Sequence, residues 1–293
     1  EQVACVGWLR PGSLQAGRLE GWPVHDRLRW VETPRWLMPC RGAWDRLDLY
    51  HGPNFKMHTT GRSGGIVTIH DLWLARHPEY SRKLLGQAGS SRRAIATANR
   101  ARRVVTVSEF SAREIEALYG IPRERVVVIH NGVTEEFSPV QDEQGMAVLR
   151  ARWAIPSAGF ILFVGGADPR KNHRVFLQAV AQSRSQLGGR AILLVGDAEH
   201  PQGSYLATAR SLGLEQDVRC TGRLNREDLC RLYSYAEVFV FPSLYEGFGM
   251  PVLEAMACGA PTITSSTSSL PEVAGDAALL VNPEDAEALG AAM

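Results

Sequence analysis

Long hydrophobic runs, paired cysteines and an excess of charge of one sign are all missing from this chain of 293 residues. No apolar run approaches the roughly 18–20 residues of a membrane-spanning helix. The five cysteines are odd in number and form no CxxC pair, which favours a reducing compartment. The net charge of +1 gives no overall reason to expect nucleic-acid binding. We therefore expect a cytoplasmic globular protein without a nucleic-acid partner.

The most informative segment of the chain is SLYEGFGMPVLEAMACGAP. Glu246 and Glu254 flank seven residues, among which Gly247 and Gly249 let a ligand approach the backbone closely. A proline suited to the first helical position follows, and the free amides of a helix start bind anions. Because ionised carboxylates accept hydrogen bonds from hydroxyls, the pattern indicates a ligand with phosphate between two polyols, a nucleotide sugar. The alternative is a glycine-rich turn with two surface glutamates.

Apolar runs alternate with amphipathic stretches through the second half of the chain. We predict strands at 160–165, 191–196, 217–222, 237–241, 261–264 and 277–281, and helices at 173–187, 204–213, 226–235 and 251–258. Such alternation is typical of a parallel sheet covered by helices on both faces. Ligands of such sheets bind at the carboxyl ends of the strands, and the candidate phosphate turn follows a strand as this rule requires.

The first half repeats this pattern less regularly. We predict strands at 47–51, 65–71, 103–108 and 125–132, helices at 77–102 and 109–119, and a connecting segment at 134–157. The predicted fold class is therefore α/β, with two doubly wound, Rossmann-like parallel-sheet domains and a cleft between them. Residues 1–139 would form the first domain and residues 140–293 the second.

The segment around Glu246 and Glu254 resembles the E-x7-E signature of retaining glycosyltransferases of the GT-B fold, family 4. The likeness continues through PEVAGDAALLVNP at 271–283. It implies transfer of a hexose from a nucleotide sugar to a saccharide or lipid-linked acceptor, without a further cofactor. GDP-mannose is the first expected donor, ahead of UDP-hexoses. An inactive remnant that binds nucleotide sugars is the alternative, and a dinucleotide oxidoreductase is a distant one because GxGxxG is absent.

Members of that family begin with a strand and a glycine-rich loop, and they end in helices beyond the last strand. Neither feature is matched here, so we expect the acceptor-binding domain and the nucleotide-sugar domain both to be incomplete at the chain ends.

A second element of the expected donor site is FVGGADPRKNH at 163–173. Charge accumulates on the diphosphate as the sugar leaves, and preorganised donors must stabilise it. The chain contains no DxD metal-binding motif, so we expect no metal and assign this role to Arg170, Lys171 and a helix start. The family often carries an Arg where this chain has Gly166, which increases the expected dependence on the two cations. A solvated basic turn is the alternative.

The segment GIVTIHDLWLARHPEY resembles the HDL…PEY stretch of family members that transfer mannose and related hexoses. This implies that His70 lies near the reacting hexose and stabilises positive charge at its anomeric carbon; taken alone, a histidine there is more often structural. The resemblance also assigns the ribose hydroxyls to Glu254 and the hexose to Glu246. The full set of implied donor-binding residues is Gly165, Gly166, Arg170, Lys171, Gly222, Arg223, Glu246, Gly247, Phe248, Gly249 and Glu254.

Three further patterns have open interpretations. Residues 76–103 carry eight basic side chains against Glu79 alone, which predicts either contact with an anionic membrane, at its cytosolic face, or a solvated surface. Six of the seven tryptophans lie in the first 73 residues, where they suit sugar stacking, an interfacial surface or core packing. Ser108 precedes a predicted helix, and we expect it to act as a structural N-cap.

Overall fold

The computed structural model describes residues 5–9, 28–32, 34, 37, 40, 46–58, 64–78, 87–200 and 203–293. The chain separates into two compact units, neither of which is one continuous stretch. The first unit comprises Glu1–Ile69, Arg82–Val105 and Glu124–Val127, and the second comprises His70–Ser81, Thr106–Arg123 and Val128–Met293. Two segments from the first half of the sequence therefore belong to the unit that the second half builds. A domain boundary at residues 139 and 140 stays a prediction.

The first half of the sequence contributes two small sheets and three α-helices within the described ranges. Its elements are β1 (Cys5–Leu9), β2 (Leu28–Glu32), β3 (Tyr50–Gly52), β4 (Gly65–Ile69), α1 (Trp73–Arg76), α2 (Gln87–Arg100), β5 (Arg103–Thr106), α3 (Glu109–Tyr119) and β6 (Val126–Val128). Strands β1 and β2 pair in parallel, and β3, β4, β5 and β6 form a sheet in chain order. Strands β1 and β2 were not predicted from the sequence.

Within its described residues, the second half contributes one six-stranded sheet, a two-stranded ribbon and seven α-helices. These are α4 (Glu143–Arg152), β7 (Phe160–Val164), α5 (His173–Gln182), β8 (Ala191–Val195), β9 (Glu199–His200), β10 (Gly203–Ser204), α6 (Tyr205–Ser211), β11 (Val218–Gly222), α7 (Arg226–Tyr235), β12 (Val238–Phe241), α8 (Met250–Ala257), β13 (Thr262–Ser265), α9 (Leu270–Ala274), β14 (Leu279–Val281) and α10 (Ala286–Ala292).

The six-stranded sheet is parallel throughout, in the order β11-β8-β7-β12-β13-β14. Counted along the chain, this is the doubly wound order 3-2-1-4-5-6, which reverses direction between β7 and β12. Ligands of such sheets bind where the order reverses, outside the carboxyl ends of the strands. The loops that follow β7 and β12 are therefore the first place to look for a site.

Alternation along the central strands explains why helices cover both faces of this sheet. In β7, Phe160 and Leu162 pack into one hydrophobic cluster, and Ile161 and Phe163 pack into another. Successive side chains of a strand point to opposite faces, so a strand that is apolar at every position must be covered on both. The predicted parallel, doubly wound sheet is confirmed.

The structure differs from the prediction at the helix after Asn172 and in the segment 134–157. The helix after Asn172 ends at Gln182 rather than near residue 187, and Gly188 and Gly189, which follow it, have positive φ angles. The predicted connecting segment at 134–157 contains helix α4. Asp142 caps this helix by accepting a hydrogen bond from the Gly145 amide, 2.9 Å away.

Some predictions fall wholly or partly outside the described residues. The basic stretch is described only at 76–78 and from Gln87 onward, where Arg92 and Arg93 are exposed on α2. Of the six tryptophans in the first 73 residues, the structure describes the side chain of Trp73, which is buried with its ring centre 5.4 Å from that of Tyr245. No helix in the described ranges is long and apolar enough to cross a membrane.

Candidate functional site

The loops after β7 and β12 are fastened to each other by a residue in the left-handed conformation. Asn172 has a φ of 60°, and its side-chain amide donates to the carbonyl oxygens of Pro242 at 3.0 Å and Pro283 at 2.6 Å. The Arg170 carbonyl accepts from the Leu244 amide at 2.9 Å. These bonds join residues 70 or more positions apart into one structure. The site elements predicted separately at 163–173 and 243–261 therefore lie together.

Lys171 and Glu246 form a direct, largely buried ion pair. The Lys171 Nζ lies 2.6 Å from Glu246 Oε1, and the two side chains are 14% and 9% exposed. The Ser243 hydroxyl donates to the same oxygen at 2.7 Å, and the ammonium lies 4.9 Å from the ring centre of Phe241. One carboxylate oxygen is thus occupied, while the ammonium keeps donor capacity for an anion. Ser243 was not singled out from the sequence, which gives no local signal for this role.

Arg170 keeps unused hydrogen-bonding capacity beside this pair. Its guanidinium faces Asp71 at 3.8 Å and Asp168 at 3.9 Å, both longer than a hydrogen bond. The Arg170 Nε is buried, and no atom of the described residues accepts a hydrogen bond from it. A buried N–H group left unpaired costs about 1–3 kcal/mol, and an acceptor oxygen of an anionic group would remove that cost.

The turn that links Glu246 to helix α8 requires glycine at position 247. A Cβ on Gly247 would overlap the carbonyl oxygen of His70. Gly249 has a φ of 117°, which a residue with a side chain rarely adopts, and helix α8 begins directly after it without a side-chain cap. The amides at this helix start therefore have no capping side chain and keep their donor capacity for a ligand.

His70 lies at this turn, immediately after strand β4. Its backbone carbonyl packs against Gly247, and its side chain is half-buried. The neighbouring Asp71 carboxylate accepts a hydrogen bond from the Trp73 amide at 3.1 Å and faces Arg170. The structure thus brings His70 to the turn through its main chain, and the role of its imidazole stays a prediction.

Glu254 lies on the second turn of helix α8. The Tyr233 hydroxyl lies 3.3 Å from its Oε2, as a donor. Burial raises the pKa of Glu254, although the hydrogen bond from Tyr233 and the charge of Arg226 partly oppose this. A carboxylate in such surroundings gains more from a hydroxyl donor than one in water would.

The glycines at the ends of β7, β8 and β11 approach each other closely. The Gly196 amide donates to the Gly222 carbonyl at 2.9 Å, and a Cβ on Gly196 would overlap the Gly165 carbonyl oxygen. Gly165 and Gly222, predicted separately, are therefore brought together through Gly196. Nearby, a Cβ added to Gly166 would meet only the carbonyl oxygen of Asp197 within 4 Å among the described residues.

Arg223 carries the most exposed cation of this group, with 82% of its side chain accessible. Its guanidinium pairs with the Asp197 carboxylate, with one N–O distance of 3.0 Å, and this hydrogen bond lowers the pKa of Asp197. In the part of the chain that the structure describes, no group of three or more His, Cys, Asp or Glu side chains is arranged to hold a metal ion.

Comparison with known proteins assigns both halves of the chain. Residues 3–137 match the model described as Glycosyltransferase Family 4, and residues 158–293 match that described as Glycosyl transferases group 1. The O-antigen chain mannosyltransferase B of Escherichia coli is 34% identical over 268 residues, covering 89% of this chain and 69% of that protein. The chain belongs to glycosyltransferase family 4. The serotype-specific mannosyltransferase WbdA of Escherichia coli is 36% identical over 197 residues, or 66% of this glycosyltransferase, which spans only 24% of WbdA.

Solved structures agree on the fold of this glycosyltransferase. Alr3699/HepE of Anabaena, crystallised in complex with UDP-glucose, superposes with a TM-score of 0.74 at 19% identity, covering 99% of this chain and 88% of that chain. WaaG, described as a glycosyltransferase involved in lipopolysaccharide biosynthesis, superposes with a TM-score of 0.72 at 16% identity, covering 98% and 89%. The predicted GT-B fold class and the predicted family are confirmed.

Proposed function

We propose that this chain catalyses the retaining, metal-independent transfer of a hexose from a nucleotide sugar, with GDP-mannose as the first donor to test. The observation that carries the proposal is the Lys171–Glu246 pair at the reversal of strand order, with the buried Nε of Arg170 unpaired beside it. Two relatives are named mannosyltransferases, which favours mannose. UDP-hexoses come second because Alr3699/HepE was crystallised with UDP-glucose.

The donor follows the order of groups along the site. Arg170 and Lys171 bind the diphosphate and stabilise the charge that it gains as the sugar leaves. Glu254 accepts hydrogen bonds from the ribose hydroxyls. Glu246 orients the hexose with its second carboxylate oxygen, together with the amides at the start of α8. The backbone near Gly222 and Arg223 contacts the base.

Retention of configuration is part of the proposal because the segment around Glu246 and Glu254 resembles that of retaining family members. Glu246 is engaged by Lys171 and Ser243, so we assign it no nucleophilic role. Substitution then proceeds on the front face of the sugar through an oxocarbenium-like state, and the leaving phosphate helps to deprotonate the acceptor hydroxyl. His70 stabilises positive charge at the anomeric carbon in this scheme. No cofactor besides the nucleotide sugar takes part.

Incubation with GDP-mannose or UDP-glucose and a panel of mannose-terminated oligosaccharides tests the proposal. We expect release of the nucleoside diphosphate, unchanged by EDTA, and a product whose anomeric configuration by NMR matches that of the donor. Inversion would overturn the retaining mechanism, and loss of activity with EDTA would overturn metal independence. Binding of nucleotide sugar without release would identify an inactive remnant.

The acceptor is a saccharide or a lipid-linked saccharide, and its source decides whether the basic surface of α2 has a role. Arg92 and Arg93 are exposed, and each basic residue near an anionic membrane contributes about 1 kcal/mol. Replacing both with Ser should weaken binding to phosphatidylglycerol vesicles by about thirtyfold at low salt, and leave nucleotide affinity unchanged. If the unaltered protein does not sediment with the vesicles at low salt, the surface is a solvated one and a soluble acceptor is favoured.

A further inference from the structure

Three consecutive carbonyl oxygens of the turn after Glu246 lie within hydrogen-bonding distance of buried serine hydroxyls. The Ser269 hydroxyl lies 2.9 Å from the carbonyl oxygen of Glu246 and 2.7 Å from that of Phe248. The carbonyl oxygen between them, on Gly247, has two hydroxyl donors of its own. Ser269 is completely buried, so its bonds to the turn are shielded from water.

The donors to the Gly247 carbonyl come from a distant part of the sequence. Ser108 Oγ lies 2.7 Å from that oxygen and Ser111 Oγ lies 3.1 Å from it, and both serines are completely buried. Ser108 is also the N-cap of α3, because its hydroxyl accepts from the Ser111 amide at 3.0 Å. The predicted capping role of Ser108 is thus confirmed, and the bond to Gly247 is a second role.

The helix that carries these serines is held in place from the other side of the turn. The Glu272 carboxylate, on α9, accepts from the amides of Glu109 at 2.7 Å and Phe110 at 3.2 Å. A carboxylate at a helix N-terminus satisfies free amides and interacts favourably with the helix dipole. The hydroxyls of α3 are therefore presented to the turn by a fixed helix.

Fixing a carbonyl also fixes the amide of the same peptide group. In a trans peptide, the C=O of one residue and the N–H of the next point in opposite directions. Holding the Gly247 carbonyl toward α3 therefore directs the Phe248 N–H away from it. Within the described residues, the amides of Gly247, Phe248 and Gly249 have no protein acceptor, so they are free to bind a ligand.

The two glycines make this restraint necessary. A peptide group flanked by glycine rotates with little steric cost, so sterics alone do not determine which way its N–H points. A rotated Gly247–Phe248 peptide would direct a carbonyl oxygen, rather than an amide, at the anionic part of a donor. Hydrogen bonds from Ser108 and Ser111 oppose that rotation, because it would leave the carbonyl without its two donors.

We propose that Ser108 and Ser111 are positioning residues of the donor site, which direct the Phe248 amide at the distal phosphate or the hexose of a nucleotide sugar. The proposal rests on the proposed function. It predicts an effect on the diphosphate-hexose part of the donor, and none on the nucleoside monophosphate part.

Calorimetric titration of the full chain with GMP, GDP and GDP-mannose tests this role. Ser111→Ala is the cleaner variant because the capping hydroxyl of Ser108 remains. We expect GDP-mannose to bind about threefold more weakly to Ser111→Ala and at least about tenfold more weakly to the double variant Ser108→Ala/Ser111→Ala. Ser111→Cys, which keeps a weak donor at similar volume, should lie between Ser111→Ala and the wild type. GMP affinity should not change.

The variant Asp285→Ala is the matched control, because it removes an N-cap from α10 without touching the turn. It should bind all three nucleotides as the wild type does. Unchanged GDP-mannose affinity in Ser111→Ala and in the folded double variant would overturn the proposal, and so would an equal loss of GMP affinity. If the wild type binds no nucleotide sugar, including UDP-hexoses, the proposed function falls and this inference with it. If the wild type prefers a UDP-hexose, the same comparison is made with UMP, UDP and that donor.

Discussion

Removing one charge of the Lys171–Glu246 pair should destabilise the protein more than removing both. The two groups lie 2.6 Å apart and are 14% and 9% exposed, so a lone remaining charge would be poorly solvated. Breaking a buried pair costs about 3–5 kcal/mol. We expect the lower end, about 3 kcal/mol, for Lys171→Met because Ser243 still donates to Glu246. The double variant Lys171→Met/Glu246→Gln leaves no lone charge and should cost about 1 kcal/mol.

Thermal unfolding followed by circular dichroism measures this difference. For a protein of this size, 1 kcal/mol corresponds to roughly 2–4 °C, so Lys171→Met should lower the Tm by roughly 6–12 °C and the double variant by less than about 4 °C. Arg123→Met is the matched control, because it breaks the exposed pair between Arg123 and Glu109, whose side chains are 44% and 48% accessible. Such a pair contributes about 0–1 kcal/mol.

Turnover should respond differently from stability. Each charge has its own role toward the donor. Lys171→Met, Glu246→Gln and the double variant should therefore each lose about a hundredfold or more in nucleoside diphosphate release. Recovery of turnover in the double variant would show that the pair has only a structural role. A wild-type rate in Lys171→Met would refute the assignment of the leaving-group charge to Lys171. Equal Tm values for Lys171→Met and the double variant would refute the argument that a lone buried charge destabilises the single variant.

Three further perturbations test separate parts of the site and its support. Glu254→Ala should weaken GDP and UDP binding about tenfold or more and mainly raise KM, and surviving affinity in the variant would refute the ribose assignment. Because burial raises the pKa of Glu254, nucleotide affinity of the wild type should begin to fall at a higher pH than the titration of an ordinary glutamate would cause. His173 is buried and its pKa is lowered to about 4, so the neutral form is favoured in the fold. The contribution of neutral His173 to the free energy of unfolding is complete above pH 6.5 and is lost as the pH falls toward 4, by up to about 3 kcal/mol. Denaturant titrations at several pH values should show this loss in the wild type and not in His173→Gln. Gly247→Ala should lower turnover at least about a hundredfold because the turn cannot close. Gly132→Ala should keep the wild-type rate, because its Cβ would meet no atom of the described residues within 4 Å.

Hydrophobic periodicity together with a capping residue was sufficient to predict two of the helices. Helices α3 and α7 begin and end at the predicted residues, because each combines an amphipathic pattern with a capping side chain, Ser108 or Asn225. Helix α4 was missed because its support is tertiary: its cap, Asp142, also pairs with Arg231 of α7 at 2.7 Å. No pattern within the predicted connecting segment reveals a partner 89 residues away.

The candidate site divides in the same way. Glu246, Lys171 and the glycines were predictable, because the chemistry of a phosphate and a polyol requires those residue types near a strand end. That Lys171 contacts Glu246 was not predictable, since the two were assigned to different parts of the ligand and lie 75 residues apart. Asn172 donates hydrogen bonds to main-chain carbonyl oxygens, and Ser243 donates to one carboxylate oxygen of Glu246. Neither role requires a recognisable sequence pattern.

The glycines explain why such supporting residues must exist at all. Gly247 and Gly249 let a ligand approach the main chain, but the same lack of a side chain leaves their peptides free to rotate. Orientation must then come from outside the turn, and the turn's carbonyls do accept bonds from Ser108 and Ser111 on α3 and from Ser269 before α9. A motif whose chemistry depends on free amides therefore needs hydroxyl donors elsewhere in the chain, and a search for those donors extends a site beyond its signature.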